Sequence, residues 1–240
     1  MALPLFYQDT KLENTVELLL DEETGRHVVQ VLRMQPGEQL RLTNGKGSSA
    51  LTTISRAEKK KCYVTVNDVQ HHERRSTGLH MCVAFTKNAS RNEWLLEKAT
   101  EMGVETIIPI MATRTERERI RHERWQNIIT AALIQSQQYY LPELVQVLGI
   151  KEILQRFNGT EQKLIGHCMD GIERTPLSQA MEKGKETVIL IGPEGDFTQE
   201  EVSLCSASGF HGISLGMNRL RTETAAMAAC AYFNMINYAS

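Results

Sequence analysis

The sequence has no run of about eighteen consecutive apolar residues, which is close to the shortest stretch that crosses a membrane as a helix. Its first residues, Met1–Phe6, also lack the basic segment and long apolar core of a secretory signal. Aromatic residues make up only 6% of the chain, whereas apolar residues make up 41% and charged residues 23%. These proportions are typical of a globular protein, and 240 residues can bury a core in one large domain or two smaller ones. We therefore expect no membrane partner.

Cysteines are few, scattered and never paired as C-x-x-C. The five are Cys62, Cys82, Cys168, Cys205 and Cys230. An odd number without paired spacing argues against a disulfide framework and against a zinc site, so we expect no metal. Four of them lie in apolar strand or helix patterns, which predicts packing, whereas Cys168 follows a strand end. Such cysteine usage is typical of a reducing compartment, and we expect a cytoplasmic location.

An excess of charge of one sign is also missing, because 27 basic and 29 acidic residues give a net charge of −2. A nucleic-acid-binding domain is usually strongly basic, so any nucleic acid would have to be bound by local patches. Residues 114–124 are the densest such segment, with five arginines and three glutamates. Mixed charge of this kind is typical of a solvated loop and helix start. The alternative is an arm whose guanidinium groups contact RNA phosphates.

The first seventy residues predict short strands around one helix. Alternating apolar residues predict strands over Gln39–Thr43, Ala50–Ser55 and Cys62–Val69, with a hairpin at Asn44–Gly47, a turn at 59–61 and a helix over Glu22–Leu32. This combination indicates a small β-barrel, an architecture often used to bind RNA. The polar, charged segment His71–Gly78 then reads as a linker.

Beyond the linker, buried apolar strands alternate with helices. The predicted strands are Leu79–Phe85, Thr106–Ile110, Lys163–His167, Thr187–Ile191 and Gly212–Leu215. The predicted helices are Arg91–Met102, a long helix from His122, Leu177–Lys183, Gln199–Ala207 and Thr222–Asn237. This alternation predicts an α/β fold with a parallel sheet, whose ligands bind at the carboxyl ends of the strands.

Two of these strands end in glycine turns. Thr187–Ile191 runs into Gly192–Gly195, and Gly212–Leu215 runs into Gly216. A glycine lets a ligand approach bare backbone, so the two turns predict a pocket lined by amides and carbonyls. Neither turn has the G-x-G-x-x-G or P-loop pattern, which argues against a dinucleotide or triphosphate site. The simpler alternative for Gly-Pro-Glu-Gly alone is a tight β–α turn.

The second turn leads into a helix start. We predict that Thr222 is the N-cap, accepting a hydrogen bond from the amide of Thr224 or Ala225, with Glu223 favoured at the positive helix end. Arg219 and Arg221 do not fit this purely structural explanation, because cations are unfavourable beside a helix N-terminus. Their presence indicates an anionic second reactant.

The glycine turns carry a resemblance to a known family. Leu190–Gly195, combined with Ser214–Gly216 and Leu220–Ala225, resembles the RsmE family of ribosomal RNA methyltransferases. Further matches over the rest of the chain are His27–Arg33, Lys87–Val104, Gln135–Ser136 and Pro142. The resemblance implies a SPOUT-class homodimer that uses S-adenosylmethionine to methylate N3 of a uridine in 16S rRNA of the small ribosomal subunit. It implies a PUA-like β-barrel over 1–72 and a SPOUT α/β domain with a C-terminal trefoil knot over 73–240.

The resemblance also implies roles for individual residues. Cofactor-binding residues would be His167, Cys168, Leu190, Gly192, Pro193, Glu194, Gly195, Leu215, Gly216, Leu220 and Thr222. Arg221 would be catalytic and stabilise the anion that develops on the target base, while Arg33, Lys87 and Arg219 would contact RNA. Uracil N3 must also lose a proton, and the sequence leaves Glu194 and Glu223 as alternative acceptors.

Three positions depart from the common family pattern. Asp196 stands where many members have a further glycine, Asn218 where arginine is common, and Gln138 where an arginine often follows Gln-Ser. Two alternatives to the implied activity remain. One is a related methyltransferase for another RNA or base atom, and the other is a non-catalytic RNA-binding assembly factor that kept the fold.

Overall fold

The computed structural model describes residues 3–59, 61–116 and 121–238. It divides into two compact units. The first comprises residues 1–74 with 130–141, and the second comprises 75–129 with 142–240. No helix in these described ranges is both long enough and apolar enough to cross a membrane.

The first unit is built on a five-stranded sheet in the order β1-β3-β4-β5-β2. Its strands are β1 Leu5–Tyr7, β2 Glu17–Leu19, β3 Gln39–Thr43, β4 Ser48–Ala57 and β5 Cys62–His71. β1 pairs with β3 in parallel, and the other pairings are antiparallel. The predicted hairpin is confirmed, because Asn44 Oδ1 accepts hydrogen bonds from the amides of Lys46 and Ser48 between β3 and β4.

The predicted helix over Glu22–Leu32 is present but is not a uniform α-helix. An α-helix, α1 Glu22–Arg26, is capped by Asp21, whose Oδ1 accepts a hydrogen bond from the Thr24 amide at 2.9 Å. It continues directly as a π-helix over His27–Val31. Arg33 then adopts a positive φ of 56°, an uncommon conformation for a residue with a side chain. Predicted turn residue Lys60 lies outside the described residues.

The second unit contains an eight-stranded sheet among its described residues. Its strands are β6 Leu79–Val83, β7 Thr106–Met111, β8 Glu143–Leu144, β9 Leu148–Gly149, β10 Gln162–Gly166, β11 Thr175–Pro176, β12 Thr187–Ile191 and β13 His211–Ser214. The order is β11-β13-β10-β12-β6-β7-β8, with β9 also pairing with β7. Every pairing in this sheet is parallel, which confirms the predicted α/β class.

Helices accompany these strands along the chain. They are α2 Ala89–Glu101, α3 His122–Gln135, α4 Ile150–Arg156, α5 Leu177–Ala180, α6 Gln199–Ala207 and α7 Thr222–Tyr238. α6 has the predicted bounds because Thr198 and Glu201 form a capping box, in which each side chain accepts a hydrogen bond from the other's amide. α5 is shorter than predicted, since Met181 is already extended.

The central strands of the second unit lie side by side in its sheet. β12 is buried along its whole length, as expected for a central strand covered on both faces. Its neighbours in the sheet are β10 and β6, and β13 lies on the far side of β10. Because β10, β12 and β13 are parallel neighbours, the loops that follow them meet at one edge of the sheet.

Candidate functional site

The loops after β10, β12 and β13 enclose a cleft, which we call the strand-end cleft. Its lining residues are Gly166, His167, Cys168, Arg174, Ile191, Gly192, Pro193, Glu194, Asp196, Ile213, Ser214, Leu215, Gly216, Asn218, Arg219, Leu220, Thr222 and Ala225. The walls combine main-chain groups of both glycine turns with apolar side chains. The predicted pocket at the carboxyl ends of the strands is therefore present.

The first glycine turn is packed closely against its own loop, so a side chain at its start would press on Phe197. A Cβ on Gly192 would lie 3.0 Å from ring atoms of Phe197. Two arginines hold the carbonyls that follow. Arg219 donates from Nη2 to the Glu194 carbonyl at 2.9 Å, and Arg114 donates from Nη1 to the Gly195 carbonyl at 2.8 Å. The turn is therefore fixed from the second glycine loop and from the segment after β7.

A third arginine, Arg91 on α2, connects the turn to the start of α7. Its Nη1 lies 3.5 Å from Glu194 Oε1, and its Nε lies 3.5 Å from Glu223 Oε1. The two carboxylates have different surroundings. The Glu194 side chain is 62% exposed, whereas that of Glu223 is 12% exposed. The second oxygen of Glu223, Oε2, is buried and has no hydrogen-bond partner among the described residues.

Thr222 does not cap α7, so that prediction was wrong. The Ala225 amide donates to the Arg221 carbonyl, so Thr222 is already the first residue of the helix. The Thr222 hydroxyl is buried and donates to the Gly192 carbonyl at 3.0 Å. Its partner lies thirty residues away in the chain. Capping rules concern neighbouring residues, so they could not predict this bond. This bond and the Arg219 bond to the Glu194 carbonyl tie the two glycine turns together.

We expect Thr222→Val to lower the free energy of unfolding by about 1–2 kcal/mol, because it leaves the Gly192 carbonyl without its donor. Thr222→Ser keeps the hydroxyl and should retain most of the stability. Thr224→Val is the matched control, since Thr224 is exposed on the same helix. Urea unfolding of the three variants measures the difference. Equal stabilities for Thr222→Val and Thr224→Val would contradict this role of the bond.

His167, at the end of β10, is a buried neutral side chain in the cleft wall. Burial lowers its pKa below the ordinary value, with the nearby Arg174 acting in the same direction and Asp196 opposing it. The Met169 amide donates to Nδ1 at 3.3 Å, which places the proton of the neutral ring on Nε2. Nε2 is buried without a partner among the described residues. This orphaned polar atom fits a site that receives a polar ligand.

The backbone conformation and the hydrogen bonds of Asp196 explain how an aspartate stands where many family members have glycine. Its φ is +64°, the left-handed conformation in which glycine is favoured. Oδ2 accepts a hydrogen bond from the Cys168 amide at 2.7 Å, and Oδ1 accepts one from the Phe197 amide at 2.8 Å. Asp tolerates this backbone better than most residues, and its carboxylate joins the loops after β10 and β12. Of the other two departures, Asn218 lines the cleft, while Gln138 donates to the Ser136 hydroxyl within the first unit.

The structure brings most of the predicted site residues together. Those that line the cleft are His167, Cys168, Gly192, Pro193, Glu194, Leu215, Gly216, Arg219, Leu220 and Thr222. Leu190 is fully buried in the core of the second unit, and Ile191 stands on the wall instead. Gly195 and Arg221 are not among the lining residues. Arg221 is exposed immediately before α7, where its side chain makes no hydrogen bond or ion pair with the described residues.

The other predicted RNA contacts are exposed. Lys87 pairs with Glu116 at 2.7 Å, and Arg33 lies in the first unit just beyond the π-helix. The charged segment 114–124 is only partly described, since 117–120 lie outside the described residues. Within it Arg114 holds the glycine turn, and Arg124 pairs with Glu93 at 2.5 Å. Part of this segment is therefore structural.

Arg91, Arg114 and Arg174 are the functional positions that sequence reasoning missed. Arg174 donates from Nη1 to the His167 carbonyl at 3.0 Å, so it fixes the loop after β10. Arg91 lies within the Lys87–Val104 match and Arg114 within the charged segment 114–124, but both contact loops that are distant in the sequence. Arg174 contacts a carbonyl seven residues earlier in its own loop. No pattern in the sequence indicates these contacts.

The cysteines contribute no cluster to the site. All five are free, and Cys168 alone is exposed. Burial raises the pKa of the Cys205 and Cys230 thiols to about 12, so these thiols stay protonated. Across the described ranges, no group of three or more His, Cys, Asp or Glu side chains is placed to hold a metal ion.

A parallel α/β sheet with a backbone-lined cleft at its strand ends defines a ligand-binding α/β domain, here joined to a small β-rich unit. A family model described as "RNA methyltransferase domain" matches residues 73–234, and one described as "RNA methyltransferase PUA domain" matches residues 20–67. The chain therefore belongs to the RNA methyltransferase family that includes ribosomal RNA small subunit methyltransferase E.

Relatives with known names agree with this membership. Ribosomal RNA small subunit methyltransferase E of Bacillus subtilis is 25% identical over 236 residues, which cover 92% of each chain. A solved probable rRNA methyltransferase from Porphyromonas gingivalis is 35% identical, covers 98% of each chain and superposes with a TM-score of 0.91. Ribosomal RNA small subunit methyltransferase E of Neisseria gonorrhoeae, solved with bound S-adenosylmethionine, is 27% identical over 98% of each chain, with a TM-score of 0.82.

Proposed function

We propose that this protein transfers a methyl group from S-adenosylmethionine to N3 of a uridine in 16S rRNA of the small ribosomal subunit. The observation that carries the proposal is the strand-end cleft, whose two glycine turns are joined by the Thr222–Gly192 hydrogen bond. The family membership supports the methyl transfer, and the names of the relatives support ribosomal RNA as the substrate.

The strand-end cleft fits the proposed donor. Main-chain groups of Gly192, Pro193 and Gly216 suit the polar edge of adenine, and Leu215 and Leu220 offer apolar surface for its faces. The orphaned Nε2 of His167 is a further donor in the wall. Bound there, S-adenosylmethionine supplies an already activated methyl group. The remaining task of the protein is therefore to position the acceptor and to remove its proton.

The substrate side rests on arginine and lysine. We assign Arg221, exposed beside the start of α7, to the anion that develops on the uracil. Arg33, Lys87 and Arg219 are assigned to RNA, and phosphate contacts of this kind position a duplex without reading its sequence. Residues 1–72 would serve as the RNA-gripping PUA-like domain and 73–240 as the methyltransferase domain. A base held in folded RNA must be turned out of its stack to reach the cleft.

Three further properties belong to this proposal. A C-terminal trefoil knot is supported by the family membership and agrees with the strand order, in which β10 lies between β12 and β13. A homodimer is supported by exposed Trp94 on α2 and Met235 on α7. Five free cysteines support a cytoplasmic location. An experimental structure in which the chain is not threaded would contradict the knot. A monomer mass in sedimentation would contradict the homodimer, and recovery outside the cytoplasm in cell fractionation would contradict the location.

The proposed reaction predicts a specific loss in cells that lack the gene. Small-subunit rRNA from the deletion strain should lose one N3-methyluridine, and purified protein with S-adenosylmethionine should restore it. Naked rRNA and assembled small subunits are compared as substrates, and protein without the donor is the control. An unchanged modification in the deletion strain rules out this substrate. Absence of S-adenosylmethionine binding in calorimetry would contradict the enzyme and favour a non-catalytic RNA-binding factor.

A further inference from the structure

We infer that Glu194 is the proton acceptor for uracil N3 and that Glu223 is not. The inference rests on the proposed function, because it concerns the target base of that same cleft. Uracil N3 carries a proton and is a poor nucleophile until the proton leaves. A general base must therefore reach the target from the place where the methyl group is delivered.

Glu194 is a carboxylate of the strand-end cleft that remains open to a ligand. It lines the cleft, and its side chain is 62% exposed. Its main chain is held by the Arg219 hydrogen bond to the carbonyl at 2.9 Å, so the residue is anchored although the carboxylate is accessible. Oε1 lies 3.5 Å from Arg91, while Oε2 has no hydrogen bond among the described residues. One oxygen is thus oriented by a cation, and the other can accept a proton.

Two other acid–base groups of the cleft, Asp196 and His167, are committed elsewhere. Both oxygens of Asp196 accept main-chain amides, from Cys168 and Phe197. Nδ1 of His167 accepts the Met169 amide, so the free nitrogen of its neutral ring carries a proton and cannot accept one. Neither side chain is therefore free to take the proton from N3.

Glu223, the alternative acceptor left by the sequence, is not placed to take the proton from N3. Its unpaired oxygen is buried and is therefore closed to a base that enters the cleft. A carboxylate at the first turn of α7 is favoured by the positive helix end, and Arg91 lies beside its other oxygen. Glu223 therefore acts as an anchor that places Arg91.

The carboxylate of Glu194 matches the N3–H group of uracil. The base presents a donor, N3–H, between two carbonyl acceptors, and flipped bases are read by hydrogen bonds to this edge. Glu194 offers the acceptor that N3–H needs, and the Arg91 guanidinium beside it orients that carboxylate. Cytosine has no proton on N3 and would leave the carboxylate unpaired.

The proton transfer balances without a further reactant. The N3–H bond breaks, its proton passes to Glu194 Oε2, and the electron pair stays on N3 for the incoming methyl group. The neutral carboxylic acid then returns the proton to water after the methylated base leaves. Arg91 is a positioning residue in this scheme, since it orients the carboxylate.

Glu194→Gln tests the inference, because glutamine keeps the shape and removes the base. We expect a turnover about 10²- to 10⁴-fold lower than wild type. The affinity for S-adenosylmethionine, measured by calorimetry, should change less than about threefold, because glutamine keeps the shape of the side chain. Glu143→Gln is the matched control. Glu143 is a 58% exposed carboxylate paired with Arg156 at 2.8 Å outside the cleft, so this variant should retain wild-type turnover.

The pH profile separates a base from a structural carboxylate. Without the base, hydroxide must take the proton, so the residual rate of Glu194→Gln should rise about tenfold per unit between about pH 7 and pH 9, while wild type stays flat. A substrate with 5-fluorouridine at the target, whose N3–H is more acidic, should recover part of the lost rate.

The outcomes are distinguishable from failure of the proposed function. Wild-type protein and Glu143→Gln must first produce N3-methyluridine in the same assay; if they do not, the proposed function and the inference fall together. If they do, a Glu194→Gln turnover equal to wild type overturns the inference alone. So does a reduced rate with an unaltered pH profile, or a Glu223→Gln variant that reproduces the hydroxide-dependent rate.

Discussion

Replacing Arg221 with alanine is expected to lower the turnover of N3 methylation about 10²- to 10³-fold, the usual loss on removing one group that stabilises an oxyanion. Affinity for S-adenosylmethionine should stay within about threefold of wild type, a change of less than about 1.4 kcal/mol. Donor affinity is spared because of where Arg221 lies. Arg221 is exposed just before α7, does not line the strand-end cleft and makes no ion pair with the described residues. We therefore expect its charge to be available to a target base.

Turnover on small-subunit rRNA and calorimetry with the donor measure the two effects separately. Arg156→Ala is the matched control, because Arg156 is a half-exposed arginine paired with Glu143 away from the cleft. Arg219→Ala provides a contrast, since Arg219 holds the Glu194 carbonyl and its loss should weaken donor binding as well. Equal losses of turnover and donor affinity in Arg221→Ala would mean that the residue is structural.

The parallel sheet could be predicted from the sequence because its central strands are buried on both faces. Thr187–Ile191 is an unbroken apolar run with buried side chains throughout, and the observed strand has the predicted bounds. Two-residue strands such as β8 and β11 carry no such signal, since two residues cannot establish a period. Their pairing is decided by the tertiary fold.

The glycine turns of the site were predictable for a similar reason, because each is a local pattern at the end of a strand. The groups that hold the turns were not. Arg91 and Arg114 come from elements far away in the chain, and the Thr222 hydroxyl prefers a distant carbonyl to the local amide that capping rules favour. The π-helix over His27–Val31 was also invisible, since its apolar spacing resembles that of an α-helix.

A single methyl group at Gly212 should distort the strand-end cleft. A Cβ there would lie 2.8 Å from His167 Nε2 and 2.9 Å from the Glu173 carbonyl oxygen, both closer than real Cβ contacts. One of these groups must move, and His167 stands in the cleft wall. We expect Gly212→Ala to lower the free energy of unfolding by about 1–3 kcal/mol, as overpacking does. Donor affinity should fall about tenfold, equal to about 1.4 kcal/mol.

Gly159→Ala separates this steric effect from the general cost of replacing a glycine. A Cβ at Gly159 meets nothing within 4 Å, so this variant should keep wild-type stability and donor affinity. Urea unfolding and calorimetry are then repeated in a His167→Ala background, where one of the two collisions is gone. The penalty for Gly212→Ala should shrink there, because contacting residues are energetically coupled. An equal penalty in both backgrounds would assign the whole cost to the Glu173 carbonyl and would contradict a role for His167 in shaping the cleft.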